Sequence, residues 1–358
     1  MKYYVVERLP KADRTAWNKA RADAASIAEK AGFKAIEITG IATDRESASV
    51  AGKISAHIKT GRLWKEALSS LKAGDTLFIQ LPLVNNYLLI SSLFKKLQNR
   101  GVEIISLIHD LEVLRMKKDR NSSLKQKVRM RIEELGSLKE SSRLIVHNPE
   151  MEKITASLGI KTPTTVLGIF DYLIAPPEDG ATVDELAENR ALKKPNTVII
   201  AGNLDENKSG YIYSLPDSIN VELYGVNYRE SDKKNLHYNG SFPADILPYK
   251  LCNGFGLIWD GISAETCTGV YGEYLRYNNP HKTSLYLASV FPVIIWKEAA
   301  LAKFVEENGV GITVSSTDEI PERLRGITDE EYKEMYANVI RVSKKIRNGE
   351  YLTAALSA

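Results

Sequence analysis

Cysteine is almost absent from this 358-residue chain, with only Cys252 and Cys267 present. Neither sits in a CxxC pair or at a metal-ligand spacing, so no disulfide framework or thiolate metal site is built. Both read as reduced packing residues. Long apolar runs are also missing. No stretch of about 18 apolar residues occurs, which excludes a membrane-spanning helix of ordinary length. The opening MKYYVVERLP is too short and too charged for a secretion signal, and the expectation is a cytosolic protein. Neither sign of charge dominates: 48 Lys and Arg stand against 45 Asp and Glu, a net of +3. That is too little to hold a nucleic acid by bulk electrostatics. The GxGxxG and Walker A patterns are both absent, so nothing points to NAD or ATP.

What remains is an ordinary globular composition, 44% hydrophobic and 26% charged, at a length that favours two domains with separate cores. Short apolar strands alternate with helices. In the first half, strands are expected at Tyr3–Val6, Ala35–Ile38, Thr76–Leu81, Val102–Ile108, Leu144–Val146 and Thr164–Leu167. Helices are expected at Thr15–Lys30, Lys53–Leu71, Tyr87–Gln98, Ser123–Lys139 and Asn148–Leu158. Residues 172–195 hold Pro176–Pro177 and few large apolar side chains, as a linker would. The alternation resumes with strands at Thr197–Ala201, Val221–Tyr224, Leu236–Tyr238, Gly256–Trp259, Val293–Trp296 and Ile312–Val314. A long amphipathic helix, Asp329–Arg347, follows and is expected to return to the first domain. The domains are therefore 1–171, 196–328 and a terminal segment 329–358. Such alternation implies parallel sheets covered on both faces, an α/β chain of two doubly wound, Rossmann-like domains. Ligands of these sheets bind at the carboxyl ends of the strands.

That rule singles out Glu7 and Arg8, Thr39, Gln80 with Leu81 and Pro82, His109 with Asp110, and His147 with Asn148. A His–Asp pair supplies a general base and a group to orient it; equally, Asp110 could cap a helix. The basic run from Arg115 to Lys139 reads either as a solvated helix face or as a contact for an anionic membrane. In the second half, Gly202 permits a tight turn, and Asn203 and Lys208 could reach an anion.

The stretch Tyr271–Trp296, YGEYLRYNNPHKTSLYLASVFPVIIW, organises the second half. A polar, aromatic loop leads through Asn278, Asn279 and Pro280 to a helix opening with His281, Lys282, Thr283 and Ser284. Free N–H groups, the positive dipole end, an ammonium and two hydroxyls together suit a diphosphate. A capped helix with a solvated lysine would read the same way.

Taken together, AGNLxxxKSGY, GLIWDG and GxYLRYNNPHKTSLYLASVFPVIIW resemble the bacterial glucosyltransferases that extend the O-glycans of serine-rich-repeat adhesins. They are also similar to the related β-1,6-galactofuranosyltransferases of polysaccharide clusters. IHDLEVLR (Ile108–Arg115) and VHNPEM (Val146–Met151) extend the resemblance into the first half. It implies the GT-B fold, two Rossmann-like domains facing across a cleft, and transfer of a hexose from a UDP-sugar to a glycan, glycoprotein or lipid-linked acceptor. Asn203, Leu204, Lys208, Tyr224, Asn279, His281, Lys282 and Thr283 match the donor-binding segments. The N-terminal domain would hold the acceptor. Asp110, His109 and Glu7 are the candidate bases. The family is oligomeric, which implies a dimer or tetramer, and peripheral contact with the inner membrane face fits lipid-linked acceptors. No DxD motif is present, so no metal or other cofactor is expected; lysines and a helix dipole would stabilise the leaving UDP. A UDP-sugar epimerase and a non-catalytic binding subunit of the same architecture are the alternatives.

Overall fold

The computed structural model describes residues 1–8, 16–40, 50–84, 87, 89–118, 124–177, 179–190 and 194–358. Residues 119–123 of the basic run, and the side chains of 116–131, lie outside the description; its helix is Leu124–Lys139. The chain divides into two units. Met1–Asp13, Ala24–Leu167 and Leu352–Ala358 form the first; Arg14–Asp23 and Gly168–Tyr351 form the second.

The first unit is built on strands β1 (Lys2–Arg8), β2 (Lys34–Thr39), β3 (Thr76–Leu81), β4 (Glu103–Ile108), β5 (Arg143–Val146) and β6 (Thr164–Val166). They form one six-stranded sheet in the order β2-β1-β3-β4-β5-β6. Every pairing is parallel. The mostly apolar character of TLFIQL and EIISLI follows from burial on both faces. The order of strands reverses between β1 and β3, and the crevice of a doubly wound sheet opens at such a reversal.

The second unit repeats the plan with β7 (Thr197–Asn203), β8 (Asn220–Val226), β9 (Leu236–Tyr238), β10 (Phe255–Ile258), β11 (Val293–Trp296) and β12 (Gly311–Val314). Its order is β12-β11-β10-β7-β8-β9, so the reversal lies between β7 and β10. These pairings are also parallel. Among the described residues, no helix is long and apolar enough to cross a membrane.

Three segments differ from expectation. Residues 172–195 hold a helix, Val183–Arg190, whose Val183 and Ala187 enter the core of the second unit; two apolar positions one turn apart are too faint a periodicity to read. The loop expected from Tyr271 begins inside a helix, Gly269–Tyr274. The terminal helix runs Asp329–Asn348 behind a Thr328–Glu331 capping box. It breaks at left-handed Gly349, and a second helix, Glu350–Ser357, follows.

The helix His281–Ala288 is pinned to this sheet by Tyr286. The fully buried Tyr286 hydroxyl accepts the Ala201 N–H of β7 at 2.7 Å. Its ring lies where any side chain at Gly256 of β10 would be, since a Cβ there would fall 2.2 Å from ring carbons. At the other end, Ser343 Oγ donates to the Ala288 carbonyl at 2.8 Å. Gly256→Ala should therefore displace the helix and cost about 1–3 kcal/mol, as overpacked cores do. Thermal denaturation should show a midpoint lowered by roughly 3–10 °C; an unchanged midpoint would mean the ring is not wedged there.

Candidate active site

In the first unit, the carboxyl ends of β1, β3, β4 and β5 are tied together by side chains. Glu7, at the end of β1, accepts the Val84 N–H at 2.9 Å, which places its carboxylate at the strand reversal. His109 is buried, and its Nε2 lies 2.7 Å from Gln80 Oε1. A carbonyl oxygen only accepts, so Nε2 carries the proton. His147 Nε2 likewise donates to the Ile108 carbonyl at 2.8 Å. Asn148 caps the helix Pro149–Ser157 through the Met151 N–H. Asp110 keeps about a quarter of its side chain in solvent and stands 3.9 Å from Arg115. Of the three expected bases, Asp110 is the one combining exposure with a position just past a strand.

The start of the next helix, Glu112–Lys118, is held by Glu134, whose carboxyl oxygens accept the Glu112 and Val113 N–H groups at 2.8 and 2.7 Å. A partner 22 residues away in sequence gives no local signature. Burial pushes the Glu134 carboxyl up to about 8, aided by the neighbouring charges of Glu112 and Asp110 and opposed by the two N–H donors.

In the second unit, the loops after β7 and β10 meet at the reversal. The Gly261 N–H donates to the Lys208 carbonyl at 2.6 Å. Gly261 has φ +118, and a Cβ on it would press into the Thr268 backbone, so only glycine makes this junction without strain. Lys282 reaches the same junction from the His281 helix: its ammonium binds Asp260 Oδ1 at 2.7 Å and the Trp259 carbonyl at 2.9 Å. This lysine is not solvated. Its charge is paired with a carboxylate that GLIWDG carries in plain view, but whose partner the sequence does not reveal.

The remaining expected donor residues take several parts. Asn203 shapes its own loop, its Oδ1 accepting the Asp205 N–H at 3.1 Å and Asn227 Nδ2 at 2.9 Å. Lys208 holds its ammonium 5.4 Å above the Tyr271 ring. Asn279 is buried and donates to the Gly168 carbonyl at 2.8 Å. His281 packs against Phe170, ring centroids 4.3 Å apart. Burial, with the Arg21 guanidinium, pushes its imidazole down to about 4, so at neutral pH it offers hydrogen bonds and no charge. Leu204 and Tyr224 belong to the core instead. The Tyr224 hydroxyl accepts the Cys252 N–H at 3.1 Å, and burial pushes its pKa up. At the helix start, Thr283 Oγ1 and Ser284 Oγ are buried without a hydrogen-bond partner among the described residues. Orphaned buried hydroxyls are costly and uncommon. The Lys208 backbone, Asp260, Lys282 and the His281 helix terminus thus meet at the strand reversal, while the Leu204 and Tyr224 side chains pack in the core.

Glu134 makes a test of the first-unit geometry. A carboxyl whose pKa rises from 4.5 in the unfolded chain to about 8 in the fold contributes stability below the lower value and loses it as pH climbs through the upper. Relative to Glu134→Gln, the wild type should therefore lose thermal stability between pH 5 and pH 8.5. A pH-independent difference in midpoint would show that the two N–H donors cancel the effect of burial.

Comparison with known proteins agrees with this architecture. Residues 2–169 match the family model of the glucosyltransferase 3-like N-terminal domain, and residues 198–358 match its C-terminal domain. The chain is 36% identical over 334 residues to the β-1,6-galactofuranosyltransferase WbbI of Escherichia coli K12, covering 91% of this chain and 93% of the relative. It is 23% identical to glucosyltransferase 3 of Streptococcus gordonii, covering 79% and 78% of the two chains. Among solved structures, a sucrose-phosphate synthase from Thermosynechococcus elongatus superposes with a TM-score of 0.64 at 11% identity, across 100% of this chain and 98% of the other, which shows the GT-B fold. With both halves matched and a relative covered almost end to end, the chain belongs to the glucosyltransferase 3-like family of glycosyltransferases.

Proposed function

We propose that this glycosyltransferase moves a hexose (glucose, galactose or galactofuranose) from a UDP-sugar to a hydroxyl of a glycan, without a metal ion. The observation carrying this reading is the meeting of the Lys282 ammonium, the backbone of the Lys208 loop and the N-terminus of the helix His281–Ala288 at the strand reversal of the second unit. Departure of UDP places negative charge on the β-phosphate. Preorganised N–H groups, ammonium groups and the helix dipole lower the barrier by stabilising that charge as it develops. The neutral His281 adds a hydrogen bond without adding a further positive charge. The absence of DxD in the sequence and the presence of two lysines support a metal-free mechanism. The 36% identity to a galactofuranosyltransferase supports galactofuranose as the first donor to try.

The second unit would take the donor and the first the acceptor. In an inverting displacement, Asp110 would accept the proton of the attacking hydroxyl. Its partial exposure allows contact with a substrate, whereas His109 is buried and already bonded to Gln80. His109 would then position the β4 end, and Glu7 would hold the segment after β3 through Val84.

Product analysis with UDP-glucose, UDP-galactose and UDP-galactofuranose, with and without a glycan acceptor, tests the assignment. The expected result is acceptor-dependent transfer that survives EDTA. Conversion of the sugar without acceptor would mean an epimerase, no reaction with any donor would mean a binding subunit, and activity lost in EDTA and restored by Mn²⁺ would remove the metal-free mechanism. Asp110→Asn should lower turnover by about 10²–10⁴-fold, the usual worth of a general base, with UDP affinity within about twofold of wild type. Turnover close to wild type would pass the role to His109 or Glu7.

A further inference from the structure

The Lys282–Asp260 pair is buried, with side chains 14% and 8% exposed. Desolvating two charges costs several kcal/mol per ion, and a pair that only fastened a helix to a strand could be replaced by apolar packing at little loss. The His281 helix already has such fastening in Tyr286 and Ser343. The ion pair stands at the crevice: Asp260 is the second residue past β10, and Lys282 is the second residue of the helix. Two of the three ammonium donors are spent, on Asp260 Oδ1 and the Trp259 carbonyl. The partnerless hydroxyls of Thr283 and Ser284 lie next along the same helix.

We propose that Asp260 is an exchangeable counterion. It neutralises and orients Lys282 while the crevice is free of donor, and it yields part of that ammonium to the diphosphate when a nucleoside diphosphate sugar binds. This inference rests on the donor reading above. Asp260 is a positioning residue and touches no reacting atom. Its carboxylate opposes the incoming anion, so it weakens the hold on UDP. That favours release of UDP after transfer, a step that limits turnover in many enzymes.

Calorimetric titration of the wild type and Asp260→Asn with UDP and with uridine tests this. Removing the competing carboxylate should tighten UDP binding by about three- to tenfold, the scale of one close charge at a partly screened site, and leave uridine unchanged. A strut holding the lysine in place gives the opposite sign, because its loss frees the lysine to wander. Unchanged or weaker UDP binding by a folded Asp260→Asn variant therefore overturns the inference alone, while no UDP binding by the wild type overturns the donor reading and this inference with it. Should Asp260→Asn fail to fold, the wild type still decides the matter. With labelled lysine, and Lys282→Met for assignment, the Lys282 side-chain resonance should move on adding UDP and stay fixed on adding uridine. A resonance that ignores UDP means the ion pair does not open.

Discussion

The seating of Tyr286 governs the second unit. One hydroxyl accepts an N–H from β7, and one ring fills the space left by Gly256 on β10. These are the two strands on either side of the reversal in strand order. The contact therefore fixes the start of the His281 helix where the sheet opens to a ligand. A free helix end offers up to four N–H groups and about half a positive charge, but only an end held in register with the strand termini can aim them. Asp260 reaches Lys282, and the Lys208 carbonyl reaches Gly261, because that register is set.

The first unit reaches a comparable arrangement with different bonds. Its strand ends are laced by Glu7 to Val84, His109 to Gln80 and His147 to Ile108. Each bond spends a chemically versatile side chain on holding backbone or a neighbour, while the partly exposed Asp110 stands beside Arg115. Glu134 supports the helix that follows, its buried carboxyl oxygens accepting the Glu112 and Val113 N–H groups.

The parts of the candidate site legible in the sequence were those carried by local pattern. Strand-ending positions came out of the alternation of apolar runs, and proline before a helical run marked the start at His281. Lys282 and Asp260 were both visible as residues, but their pairing was not. Tyr224 matched a donor-binding position by resemblance, yet its ring lies in the core with its hydroxyl on Cys252. A tyrosine at a strand end has two faces to choose from, and packing makes the choice.

The sequence by itself determined most of the elements, the twelve short strands among the described residues and most of the helices between them, and the family, because periodicity, helix caps and motifs are properties of neighbouring residues. Tertiary structure alone decided the strand orders, and therefore which loops meet, because order depends on pairings between segments tens of residues apart. It also decided the state of each charge. Whether Lys282 is a solvated cation or half of a buried pair, and whether the Glu134 carboxyl titrates near 4.5 or near 8, is set by desolvation and by partners more than twenty residues away, which no local pattern records.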